Sequence, residues 1–137
     1  RPSRGLGDVY KRQSTTIHFP NIEYRITDAT RIDQNGRFWA INYFWPGDKK
    51  RLKPAADPIA ATSDKGKTHQ SSDVVERLIE FEIKDKIIKF SDHVPIQLEL
   101  DKDAPRNWEG IVRIDDKGFL IATDKHPQMI LGFVPIK

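Results

Sequence analysis

Two acidic residues in this 137-residue chain lie just upstream of the two copies of an internal repeat. "RIDQNGRFWAIN" (31–42) lies over "RIDDKGFLIATD" (113–124) with a constant offset of 82. Arg31, Ile32, Asp33, Gly36 and Ala40 coincide with Arg113, Ile114, Asp115, Gly118 and Ala122, and Asn42 falls on Asp124. Just upstream of each copy is an acid beside a small residue: Asp28-Ala29 in the first, Glu109-Gly110 in the second. Two carboxylates held close together repel, and each shifts toward its neutral form unless a cation or a basic side chain lies between them. A hard cation such as calcium takes about six to eight oxygens from carboxylates, carbonyls and water. Asp28 and Glu109 are therefore the candidate metal ligands. Trp108, Asp124 and His126 are the candidate ligand-binding residues: an aromatic face next to Glu109, a carboxylate, and an imidazole able to act as general acid or base.

The other chemistry-bearing residues read more plainly. Asp33 and Asp115 precede hairpin turns, where Asp accepts hydrogen bonds from nearby backbone N–H groups. Arg31 and Arg113 are expected to pair with acids on adjacent strands. His18, His69 and His93 show no metal-ligand spacing. No nucleophile elbow, phosphate-cradling Gly loop or HExxH is present. The absence of Cys excludes disulfides, thiol catalysis and Cys-ligated zinc.

The elements that must position these groups read as strands. "RFWAINYFW", "VVERLIEFEI", "IIKF", "VPIQLEL", "GIVRID", "FLIATD" and "MILGFVPI" alternate with period two or form short apolar runs between turn signals. Asn35-Gly36 predicts a tight turn with both central residues at positive φ, and "KDK" predicts another. In "VVERLIEFEI" the apolar Leu78, Phe81 and Ile83 alternate with the charged Arg77, Glu80, Glu82 and Lys84. "SSDVVERLIEF" also fits a helix, but the Glu/Arg alternation and the following turn favour a strand. Residues 46–72, with three Pro and two Gly, predict a long loop insertion whose Lys49, Lys50, Arg51 and Lys53 are solvated. Trp39, Trp45 and Trp108 are expected between packed sheets.

The first residues need a different explanation. Asp8-Val9-Tyr10-Lys11-Arg12-Gln13 back-translates to GAT GTG TAT AAG AGA CAG, and residues 3–13 together resemble a translated sequencing-library adapter. Residues 1–13 are accordingly set aside as non-native, with 14–137 expected to be the C-terminal piece of a longer protein. Residues 1–13 hold Arg1, Arg4, Lys11 and Arg12 against Asp8. Without them the 23 basic and 20 acidic residues fall to 19 of each. The sequence pI near 9.2 is then no sign of a nucleic-acid partner. No run of about 18 apolar residues is present, so no transmembrane helix is expected.

A repeated unit of inner strand, Asp-x-x-Gly turn and second strand reads as successive blades of a β-propeller. The fold class is all-β, with about one and a half to two four-stranded blades and a loop insertion at 46–72. "NWEGIVRIDDKGFLIATDKHP" resembles the E-G-[IL]-x-x-x-x-[DG]-G-x-L-x-x-x-[ST]-[DE] stretch of the phytase-like esterase and SdiA-regulated, NHL-related six-bladed propellers. "TDATRIDQNGRFWAINYFWPG" resembles a second blade of the same families, with Thr27-Asp28 in place of Glu-Gly and Asn42-Tyr43 in place of the acidic pair. The resemblance implies an exported, periplasmic or secreted protein whose central channel binds a small molecule or phosphoester. It also implies either a binding or scaffold role with calcium at the channel, or metal-dependent hydrolysis of an ester or phosphoester. The remaining blades would lie outside this chain.

Overall fold

The computed structural model describes residues 16–63, 65, 69–70, 73–98, 106–124 and 129–136; residues 1–13 and His126 lie outside this set. The apolar runs form strands β1 (Arg25–Ala29), β2 (Arg37–Phe44), β3 (Val75–Lys84), β4 (Ile87–Phe90), β5 (Ile96–Gln97), β6 (Trp108–Ile114), β7 (Gly118–Thr123) and β8 (Leu131–Pro135). A 3-10 turn at Pro46–Asp48 and one helical turn, α1 (Lys49–Leu52), follow β2. The protein is all-β, and both sheets formed by the described residues are antiparallel and open. Sheet A runs β1-β2-β3-β4. β5 continues the outer edge, pairing Arg77 and Leu78 where β4 pairs Phe81 to Lys84, so Ser91 to Pro95 interrupt that edge. Sheet B runs β6-β7-β8.

The turns follow residue chemistry, with one correction. The two-residue primed turn lies at Asp85-Lys86, both at positive φ (52° and 64°) between the paired Lys84 and Ile87. At Asn35-Gly36 only Gly36 is left-handed, at 77°. The Asp33 carboxylate accepts the N–H groups of Asn35 (2.8 Å) and Arg37 (2.9 Å), and the Gly36 N–H donates to the Asp33 carbonyl at 3.0 Å. That side chain shapes the turn and leaves only its last position left-handed.

The two repeat copies both form hairpins, but their registers differ by one residue. Each inner strand has a bulge at the same level: β1 between Ile26, opposite Asn42, and Ala29, opposite Ala40; β6 between Trp108, opposite Thr123, and Gly110, opposite Ala122. Beyond it Thr30 bonds Trp39 and Asp33 bonds Arg37, both at 2.8 Å, so Arg31 and Ile32 together oppose Phe38. In the second copy Ile111 to Ile114 pair one for one with Ile121 to Gly118. The inner strands therefore correspond at 82, but the second strands at 81. Phe38, Ala40 and Asn42 match Phe119, Ile121 and Thr123.

That slip decides how the sheets stack. Trp39, Ile41, Tyr43 and Leu78 of sheet A, with Leu98 just past β5, pack on Trp108, Ile111, Phe119 and Ile121 of sheet B, with the Trp39 and Phe119 rings 5.1 Å apart. Each buried large side chain in such a core contributes about 1.5–3 kcal/mol. The side of sheet A equivalent to sheet B's buried side, carrying Phe38 and Ala40, faces away. There Ile59 and Ile22 cover Ala40, Ile79 and Phe81, and Phe19 lies 5.1 Å from Phe81. The sheets thus stack front to back. β3 is central and covered on both faces, so its charged Glu76, Arg77 and Glu80 are buried. One expectation fails on this arrangement. Trp45 stands about half exposed, while Trp39 and Trp108 occupy the core between the sheets.

Candidate functional site

Asp28 sits in the β1 bulge and reaches across to β6. Its Oδ2 accepts the Ile111 N–H at 2.9 Å, and its Oδ1 accepts the Ala29 N–H, also at 2.9 Å. Glu109 occupies the matching bulge of β6 and is exposed. In the structural register it corresponds to Thr27, and Asp28 corresponds to Gly110. Each copy thus brings one carboxylate to this end of the inner strands, at adjacent positions of the bulge. Trp108 is buried beneath, 2% exposed. Asp124 is exposed at the end of β7, where its N–H donates to the Asn107 carbonyl at 2.9 Å. Among the described residues no group of three or more His, Asp or Glu is placed to hold a metal ion.

A second cluster lies between the sheets at the same end, and sequence reasoning missed it. Glu76 pairs with Tyr43 across β2 and β3 and is 3% exposed. Burial raises its carboxyl to about 7, against a weaker downward pull from the Arg106 N–H and guanidinium and from the Trp108 indole. Oε1 accepts the Arg106 N–H at 3.2 Å. Glu76 Oε2 and Trp108 Nε1 are buried and close no hydrogen bond, so the indole acts on the carboxyl by proximity alone. Burial likewise pushes the Tyr43 phenol up to about 12, helped by the charges of Glu76, Asp48 and Glu109 and opposed by Arg25. Arg25 pairs with Asp48 at 2.9 Å. The Glu76 carboxyl can hold or release a proton near neutrality, but it is sealed from solvent.

The opposite side of sheet A carries a polar lock. Arg77, 1% exposed, binds both oxygens of Asp57 at 2.7 and 2.9 Å and donates Nε–H to Asn42 Oδ1 at 2.7 Å. Asn42 Nδ2 donates to the carbonyls of Glu23 (3.0 Å) and Arg25 (3.1 Å). The Tyr24 ring lies 5.7 Å from the guanidinium and is carried by a left-handed backbone, φ 72°. Burial alone would raise the Asp57 carboxyl, but the hydrogen bonds and charge of Arg77 hold it below its ordinary value. Residues 53–63 of the insertion are thereby fixed onto the sheet through Asp57 and Ile59, while Lys49, Lys50, Arg51 and Lys53 are exposed as expected.

At the far end of the inner strands an open cleft of about 850 Å³ separates the two hairpin loops. Its walls include the repeated residues Arg31, Asp33, Arg113 and Asp115. Arg113 pairs with Asp33 of the other copy at 3.6 Å, and its Nε–H donates to the Asp115 carbonyl at 2.7 Å. No helix among the described residues is long and apolar enough to cross a membrane. No protein-family model, curated protein or solved structure matches the chain.

Proposed function

We propose that the chain is part of a β-propeller that serves as a binding or scaffold module, with sheets A and B as successive blades. The observation that carries this reading is the front-to-back stacking, with β1 and β6 joined through the Asp28 carboxylate and the Ile111 amide. Sheets related by a two-fold, as in many sandwiches, would bury equivalent sides against each other; here the slip in register places non-equivalent sides in contact. Propeller blades stack in this sense, and propellers host binding proteins and enzymes alike.

Calcium enters the proposal at the Asp28–Glu109 end. Glu109 is exposed, and each Asp28 oxygen accepts one amide hydrogen and keeps a lone pair. Two carboxylates supply part of a shell of about six to eight oxygens; carbonyls, water and residues beyond those described would complete it. A calcium titration followed by thermal unfolding tests this. The expected result is a rise in midpoint that Glu109→Gln removes while the fold persists. No rise in the unaltered chain would discard calcium and leave the stacking proposal standing. The hydrolase alternative draws support from the Glu76 carboxyl near neutrality, which suits a general acid or base. Its burial under Trp108 favours the non-catalytic reading. Turnover of an ester or phosphoester, lost in Glu76→Gln, would reverse that preference.

A further inference from the structure

The outward face of sheet B exposes side chains at positions that sheet A buries. Leu120 pairs with Phe133, and Ala122 with Leu131, across β7 and β8. Their equivalents in sheet A are Trp39 paired with Glu80, and Ile41 paired with Leu78. The sheet A set is almost fully buried beneath sheet B. The sheet B set includes Phe133 at 53% exposure and Leu131 at 68%, beside Val112 at 60% on β6. Contiguous apolar surface of this kind marks an interaction site.

We infer that this face docks a further antiparallel β-sheet, stacked on sheet B as sheet B stacks on sheet A. The inference rests on reading the two sheets as successive blades. The interface already present defines the occupant's chemistry: apolar and aromatic side chains at the positions of Phe119 and Ile121, with a small polar residue at that of Thr123. A second intact copy does not offer such a face. Its equivalent side, carrying Phe38 and Ala40, lies under Ile59 and is held shut by the Arg77–Asp57 pair.

The chain has no Cys, so engineered thiols report the geometry directly. Asp57→Asn weakens the pair that holds the cover on sheet A, and Asp57→Asn combined with Ile59→Ala is a second way to loosen it if the cover stays in place. A loosened copy carrying Phe38→Cys is mixed with a covered copy carrying Leu120→Cys and oxidised. The expected product is a mixed disulfide joining position 38 of the loosened copy to position 120 of the covered one. Phe133→Lys in the covered copy should reduce its yield about tenfold, since a buried charge at a docking site typically removes more than 1 kcal/mol of affinity. No mixed product from either folded, loosened variant overturns the inference. So does a symmetric dimer linked through position 120 of both copies, because the face would then pair with its own copy. Amide exchange at Ile111 separates this from failure of the underlying reading. Asp28→Ala should speed that exchange by about tenfold in the otherwise unaltered chain. If it does not, the stacking of sheets A and B is itself wrong; if it does and the mixed disulfide is absent, the docking inference alone fails.

Discussion

Glu76 makes the stability of this protein depend on pH in an unusual direction. Its carboxyl is pushed up to about 7 in the folded chain from an ordinary 4.5. A carboxyl raised on folding binds its proton more tightly in the native state. The stabilisation is therefore fully present below about pH 4.5 and is lost as pH rises through about 7. The gap between those values corresponds to about 3 kcal/mol, a large share of the roughly 5–15 kcal/mol that holds a domain folded. Physically, ionisation places a charge between the sheets where one oxygen has only the Arg106 N–H and the other has no partner.

Urea unfolding at pH 5 and pH 8 measures the effect. The unaltered chain should lose up to about 3 kcal/mol between them, while Glu76→Gln, neutral at both, should lose much less and be the more stable of the two at pH 8. His69 works in the opposite sense. Burial first, then Lys65 and Arg77, hold its imidazole below 6.5, so its share of stability is lost as pH falls. The carboxyls of Asp33 and Asp57, held below 3.8, titrate below this window. The difference between unaltered chain and Glu76→Gln isolates the one group. Equal pH slopes for the two proteins, or stability of the unaltered chain that rises from pH 5 to 8 faster than that of the variant, would refute the reasoning.

Two further outcomes follow from the geometry. Asp57→Ala leaves the Arg77 guanidinium buried without its counter-charge and should destabilise by about 3–5 kcal/mol in denaturant unfolding; a loss below about 1 kcal/mol would mean water reaches the site. Gly36→Ala adds a Cβ 2.7 Å from the Ile83 carbonyl oxygen at a left-handed position and should lower stability by about 1–3 kcal/mol. Gln34→Ala, at an exposed position of the same loop, should stay within about 0.5 kcal/mol.

The strands were legible because alternation and β-branched runs report a half-buried pleat directly. The all-β class and the hairpin at Asp85-Lys86 came from residues adjacent in sequence, whereas Arg113, expected to pair with an acid on an adjacent strand, instead meets Asp33 in the hairpin loop of the other sheet. The buried polar residues of β3 were not legible. Charged residues interleaved with apolar ones suggest at least one wet face, and a central strand between two covers has none, so nothing in the sequence of β3 marks Glu76, Arg77 and Glu80 as buried. Asp57 was hidden for another reason: its partner lies 20 residues away, and nothing in a Pro-rich stretch marks a single acid as buried. The repeat itself was misregistered by one on its second strand. The bulge that opposes Arg31 and Ile32 to Phe38 leaves no trace in composition, yet it determines which faces of the sheets meet. Of the candidate site, the sequence shows an acid ahead of each repeat copy, but it carries no signal for the Asp28 carboxylate tying β1 to β6.

The Arg77–Asp57 pair raises the question of what a buried ion pair contributes beyond stability. Removing two charges from water offsets most of their attraction, and apolar replacements of similar volume are often neutral or better. Stability alone therefore gives no reason for Arg77 and Asp57 to be polar. Register does. Two paired donors meet two acceptors in one geometry, and Asn42 bonded to Nε fixes the guanidinium plane, so only one placement of the insertion satisfies the site. A greasy contact such as Ile59 on Ile79 tolerates sliding by a residue. The double variant Arg77→Met with Asp57→Leu separates the two roles. Its unfolding free energy should lie within about 1–2 kcal/mol of the unaltered chain, while limited proteolysis within residues 53–63 should quicken because the cover samples other placements. A double variant as protease-resistant as the unaltered chain would show that Ile59 and its apolar neighbours fix the insertion by themselves.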